Sequence, residues 1–248
     1  MKWRTAIALA GLFAIAVCCP DAPVQAAGPL RCGRFTEDVP PAPEPRENAH
    51  AHARFEQINA AVKTQPYQVL FFGDSLTERF DREIWEQHMT PRSVLNAGVS
   101  GDRSENLLWR LEHGNLDGPP PRAAILLIGT NDLGRERSPE VAAEGVRSNL
   151  LKLRQHLPET EVLLLGLWPR EDVPRIVQRH EIAAVNALIA TCGDGIRIHY
   201  ADLGRLLLDA DGRLAPGISA DHLHFNSQGY ARLAPSLDRE IDQLVRRH

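Results

Sequence analysis

Ser75 stands in the run VLFFGDSLTERF, Val69 to Phe80, where four apolar residues lead straight into a glycine, an acid and a serine. A buried strand that ends this way presents a hydroxyl at its carboxyl end, but a hydroxyl without an adjacent base is a weak nucleophile at neutral pH. The segment SADHLHFNSQGY, close to the C-terminus, holds the candidates for that base. Asp221 and His224 lie three positions apart, so one turn of chain aims both side chains the same way. A carboxylate so placed fixes the tautomer of the imidazole and stabilises the imidazolium formed when it takes a serine proton. His222 adds a second imidazole, and an extended stretch would put it on the same side as His224. A turn instead aligns Asp221 with His224 and leaves His222 facing away. The chemistry is nucleophilic acyl transfer, with Ser75, His224 and Asp221 as the catalytic candidates.

Such a site needs a rigid frame. From Phe55 onward short apolar runs alternate with longer amphipathic stretches. Val69–Phe72, Val94–Leu95, Ala124–Ile128, Val162–Leu165 and Ile196–Tyr200 read as strands, near-continuously apolar as strands covered on both faces must be. Between them lie helices. Ser138-Pro139-Glu140 reads as a cap with proline in the first turn, after which Val146, Leu150, Leu153 and Leu157 keep one apolar face. Leu233, Leu237, Ile241 and Leu244 do the same in the last helix. The alternation predicts an α/β fold, a three-layer α/β/α sandwich on a five-stranded, mostly parallel sheet. Ligands in such sheets bind outside the carboxyl ends of the strands. Ser75, Asn96-Ala97-Gly98, Gly129-Thr130-Asn131-Asp132 and Trp168-Pro169 each follow a strand, so all four fall on that rim.

Composition narrows the function classes. The 248 residues, 43% hydrophobic, suffice for one large domain. The net charge of -4 is spread along the chain, which argues against a nucleic-acid partner and for small molecules. Residues 1–26 have a basic start, an apolar run from Ala6 to Val17 and then small residues, the pattern of a removed secretory leader. Export to the periplasm or medium, with no membrane span in the mature chain, is expected. Cleavage and acylation at Cys18 or Cys19 is the alternative. Cys32 and Cys192 remain, able to pair in an oxidising compartment or to stand as separate thiols. Residues 27–54, rich in proline and charge, read as an N-terminal arm or linker to a domain spanning 55–248. His50 and His52 in that arm read as solvated rather than as a metal pair, and neither metal nor cofactor is expected.

GDSL at Gly73–Leu76, NAGVSGD with Gly98, GTND with Asn131 and DHLH with Asp221 and His224 resemble, in order and separation, the four blocks of the SGNH hydrolases, or GDSL esterases. The likeness runs from about Tyr67 to the C-terminus. Within that group VLNAGVSGDRSENLLWRL and LLLGLWPR are similar to the catalytic subunits of intracellular platelet-activating-factor acetylhydrolase and their bacterial relatives. The resemblance implies a flavodoxin-like fold, Ser75 as nucleophile, His224 as base and Asp221 as its orienting acid. It implies an oxyanion hole made of the Ser75 and Gly98 N–H groups and the Asn131 amide. Acyl transfer needs such donors, because negative charge builds on the former carbonyl oxygen. Asp74 and Asp132 are expected to brace their turns. Gly73-Asp74-Ser75-Leu76-Thr77 lacks the second glycine of an α/β-hydrolase nucleophile elbow, which disfavours that fold. The expected substrate is a small-molecule or glycan ester with a short acyl group, and Trp168 and Arg170 are placed to contact its alcohol part. An O-acyltransferase with a sugar hydroxyl as acceptor, or an inactive glycan-binding module, are the alternatives, and oligomeric state is left open.

Overall fold

The computed structural model describes residues 29–135, 137–171 and 177–247, so the leader expected over residues 1–26 lies outside the described residues. The first half of the chain runs α1 (Ala49–Thr64), β1 (Val69–Gly73), α2 (Ser75–Glu78), α3 (Arg82–Ile84), β2 (Val94–Gly98), α4 (Ser104–Glu112), β3 (Ala123–Leu127) and α5 (Thr130–Leu133). The second half runs α6 (Pro139–His156), β4 (Glu161–Leu165), α7 (Val177–Ala190), β5 (Ile198–Ala201) and α8 (Ser227–Val245). The sheet order is β2-β1-β3-β4-β5 and every pairing is parallel. Every residue of β1, β3 and β4 is buried, as a sheet with helices on both sides requires.

The helices start where their caps place them. Ser138 Oγ accepts the Val141 N–H at 3.3 Å with Pro139 in the first turn of α6, and Val146, Leu150 and Leu153 face the core. Asn226 Oδ1 accepts the N–H groups of Gln228 and Gly229 to open α8, whose Leu233, Leu237, Ile241 and Leu244 are buried. Asn48 Oδ1 accepts the Ala51 N–H at 2.8 Å, and α1 therefore begins inside the stretch whose composition reads as an arm. Ahead of it the chain is wrapped on the body. Cys32 and Cys192 form a disulfide across 160 positions, and the Phe35 N–H donates to Glu144 Oε2 at 3.0 Å.

Two strand boundaries differ from expectation by more than one residue. β2 runs on to Gly98, which pairs with Gly73, because polar Asn96 finds partners inside the strand. Its Nδ2 donates to Thr77 O at 2.7 Å and its Oδ1 accepts from Arg54 at 3.1 Å. β5 starts at Ile198 and not Ile196, since Asp194 Oδ1 accepts the N–H groups of Ile196, Arg197 and Ile198 and holds a turn there. Among the described residues no helix is long and apolar enough to cross a membrane.

Candidate active site

β1 delivers Ser75 to the carboxyl edge of the sheet through a turn that only glycine permits. A Cβ on Gly73 would lie 2.2 Å from Thr77 Oγ1 and 2.7 Å from Leu127 O. Ser75 then opens α2, whose cap is Asp74, with Oδ1 accepting the Leu76 N–H at 2.9 Å. The Tyr230 hydroxyl donates to Leu76 O at 2.8 Å and fastens α2 to α8.

Asp74 does not face the reaction. It is buried, and its Oδ2 has no partner. Burial, aided by the nearby Asp102 and Asp132 charges, pushes its carboxyl up to about 7. A folded-state value above the unfolded one contributes stability that is complete below about pH 4 and lost as pH rises through about 7. Asp74→Asn keeps the capping oxygen and removes this dependence. Its melting temperature is expected to rise relative to wild type between pH 4 and 8, and parallel profiles would contradict the assignment.

The imidazole of His224 arrives on the loop before α8. His224 Nε2 lies 2.9 Å from Ser75 Oγ, and His224 Nδ1 lies 2.7 Å from Asp221 Oδ2. Asp221 Oδ1 accepts the backbone N–H groups of Leu223 and His224 at 3.1 and 2.8 Å, so the carboxylate shapes the turn that carries its own imidazole. Burial pulls the Asp221 carboxyl up, but the His224 ring and these two N–H donors outweigh it and hold the group well below the usual carboxylate range. It therefore stays ionised through neutral and mildly acidic pH. Among the described residues His222 makes no side-chain hydrogen bond. It adopts φ 56°, its carbonyl accepts the Glu171 N–H at 2.8 Å, and its side chain is exposed.

The expectation for Gly98 needs correction. As a strand residue it points its N–H at Asn96 Oδ1, 3.0 Å away, and a Cβ there would sit 2.3 Å from Glu78 N. Gly98 is the close-packing contact between β2 and α2, and its N–H is already engaged. The next glycine, Gly101, lies beyond the strand at φ 79°, and its N–H has no acceptor among the described residues. Gly101 and Asn131 line one cleft, and Asn131 Nδ2 donates to Asp102 O at 2.9 Å, which leaves its second amide hydrogen free. Asp132, the other expected brace, accepts the Ser104 N–H at 3.0 Å and the Ser104 hydroxyl at 2.6 Å, tying α5 to the start of α4.

Sequence reasoning missed the residues that hold the Gly98–Gly101 loop. Arg54 donates to the carbonyls of Asn96 and Gly98 at 2.7 and 3.1 Å, and Arg46 donates to the carbonyl of Gly101. His50 Nε2 sits 2.7 Å from Glu78 Oε1, while Glu78 Oε2 accepts the Ser100 N–H. His50 and Arg54 lie four residues apart on one face of α1, and Arg46 lies just ahead of its cap. His50 thus has a carboxylate partner and is not simply solvated. Buried Arg110 donates to Asp102 at 2.7 Å and to the carbonyls of Gly73 and Ala97, each at 3.3 Å. Its signal was a charge on the apolar stripe of α4, between Leu107 and Leu111.

Trp168 and Arg170 part company. Trp168 is 1% exposed and packs edge-on against Phe225 and Tyr230, at 6.0 and 6.2 Å between ring centres, so it supports the His224 loop from beneath and cannot touch substrate. Arg170 reaches the cleft beside Asn131, with Nη1 donating to Thr130 O at 3.3 Å. No cluster of three or more histidine, cysteine, aspartate or glutamate side chains is placed to hold a metal among the described residues.

A hydroxyl, an imidazole and a carboxylate in hydrogen-bonded series at the carboxyl rim of a parallel sheet define a serine hydrolase. The sequence model of the GDSL-like Lipase/Acylhydrolase family matches residues 71–232, and the chain belongs to that family as a serine esterase. It is 30% identical over 185 residues to the platelet-activating factor acetylhydrolase IB subunit alpha2 of Rattus norvegicus, covering 74% of this chain and 80% of that one. To subunit alpha1 of Homo sapiens it is 28% identical over 209 residues, 82% of this chain and 89% of that one. Among solved structures, a GDSL-like lipase from Bacteroides thetaiotaomicron shares the fold with a TM-score of 0.65 at 20% identity, over 77% of this chain and 97% of that one. An acetylxylan esterase from Geobacillus stearothermophilus does so at 0.58 and 18%, over 70% and 93%.

Proposed function

We propose that the chain is an exported esterase that removes acetyl or other short acyl groups from a glycan or lipid-like alcohol through an acyl-enzyme on Ser75. The observation that carries this is the continuous contact from Asp221 through His224 to Ser75 Oγ. In the reaction so read, His224 Nε2 takes the Ser75 proton as Oγ attacks the ester carbonyl. The tetrahedral oxyanion is met by the Ser75 N–H, the Gly101 N–H and the Asn131 amide. His224 then gives the proton to the departing alkoxide, and a water repeats the sequence to release the acid. Asn131→Ala is expected to lower kcat by about 10²–10³-fold, the usual loss for one oxyanion donor, with KM little changed. A rise in KM alone would contradict that role.

The short-acyl reading is supported by the names of the acetylhydrolase relatives, which give that acyl group. An alkyl tail gains about 0.8 kcal/mol per methylene only where it meets an apolar surface, and on the side of the arginine-lined cleft beside the donors Leu223 is the one large apolar residue. For export, the support is the leader-like pattern of residues 1–26 together with the Cys32–Cys192 disulfide, a bond characteristic of oxidising compartments. A series of 4-nitrophenyl esters tests the acyl preference. We expect kcat/KM to fall steadily from acetyl to octanoyl, and a preference for octanoyl would overturn it.

A further inference from the structure

The cleft that Gly101, Asn131 and Leu223 share has a volume of about 280 Å³. Gly134 and four arginines, Arg46, Arg103, Arg135 and Arg170, complete its lining, and among the described residues no carboxylate lines it. The chain as a whole carries a net charge of -4, so this concentration of cations does not reflect a basic composition.

The arginines are not equally neutralised. Arg103 is paired, with Glu44 at 2.9 Å and Glu105 at 2.5 Å. Among the described residues the one carboxylate near Arg170 is Glu171, at 3.8 Å, and its hydrogen bond goes to a carbonyl. Arg46 likewise bonds to the carbonyl of Gly101 and makes no ion pair with a carboxylate among the described residues. Arg46 and Arg170 each keep a buried Nε with no hydrogen-bond partner among the described residues, that of Arg170 lying 3.8 Å from Glu171 Oε1. A buried N–H donor without an acceptor is unfavourable, and more so when it carries charge. An oxyanion entering the cleft would meet the guanidinium groups of both residues, whose fork matches carboxylate and phosphate geometry.

We propose that this cleft is an anion subsite, and that the preferred substrates are short-chain esters whose alcohol part carries an oxyanion close to the ester. The inference rests on the esterase reading above, which places a small acyl group on one side of the scissile bond and leaves the charged group to the other. Arg170 is the leading specificity residue, because it borders Asn131 without bracing the Gly98–Gly101 loop.

The test compares 3-acetoxybenzoate with its methyl ester, which differ by one negative charge on the alcohol part. We expect kcat/KM at low ionic strength to be about tenfold higher for the carboxylate, a preference that shrinks as salt screens the cleft. Arg170→Gln should reduce the ratio of the two kcat/KM values toward one, and Arg170→Lys should retain part of it. On the wild-type enzyme, glucuronate and glycerol phosphate should compete with the methyl ester where glucose and glycerol do not, and the stronger competitor tells a carboxylate from a phosphate. Equal rates on both esters with no competition by either anion would overturn the subsite and leave the esterase reading standing. Hydrolysis of neither ester would overturn both.

Discussion

Replacing Ser75 by alanine is expected to reduce kcat/KM for an acetyl ester by roughly 10⁶-fold, the scale of loss when the serine of such a triad is removed. Every later step depends on the Oγ that His224 approaches to 2.9 Å, and among the described residues no other hydroxyl is in contact with that imidazole. The fold should not suffer. Ser75 Oγ has no other hydrogen-bond partner among the described residues, while the cap on Leu76 N comes from Asp74 and the anchor on Leu76 O from Tyr230. Activity in the folded variant within about tenfold of wild type would contradict the assignment, with circular dichroism and the melting temperature as the check on folding.

His224→Ala should be nearly as damaging, and His222→Ala should change turnover by less than about tenfold, or about 1.4 kcal/mol in barrier. The two differ by geometry and not by residue type. His224 lies between Asp221 Oδ2 and Ser75 Oγ, whereas His222 contributes a carbonyl to Glu171 and sits at φ 56°. Because that conformation strains an alanine, His222→Asn is the companion variant, asparagine being tolerant of the left-handed region. Both His222 variants should keep the activity. A dead His222→Asn beside an active His224→Ala would reverse the identity of the base.

Much of this was legible in the sequence, for identifiable reasons. Strands buried on both faces show as unbroken apolar runs, so the sheet, its parallel character and the rim carrying Ser75 and Asn131 could be read directly. The contact between Asp221 and His224 was legible because it is local, set by a three-residue turn. Gly98 was not, because a glycine that packs and a glycine that donates look alike until the end of β2 is known. The strand continues through Asn96 only because Arg54 and Thr77, distant in sequence, satisfy its side chain. Trp168 posed the same difficulty, since a tryptophan at a strand end serves a rim or a core depending on what lies above it. Arg46 and Arg54 were invisible because their partners are carbonyls, which every residue has.

The central claim is that Ser75 carries the acyl group, and trapping tests it most directly. The enzyme would be treated with diethyl 4-nitrophenyl phosphate, which transfers its phosphoryl group to an activated serine, and digested for mass spectrometry. The account predicts one diethylphosphoryl group per chain, on the peptide containing Ser75, with loss of activity in proportion. It also predicts greatly slowed labelling in His224→Ala, where the hydroxyl has no base. Stoichiometric label on any other residue, or full inactivation with Ser75 unmodified, would contradict it.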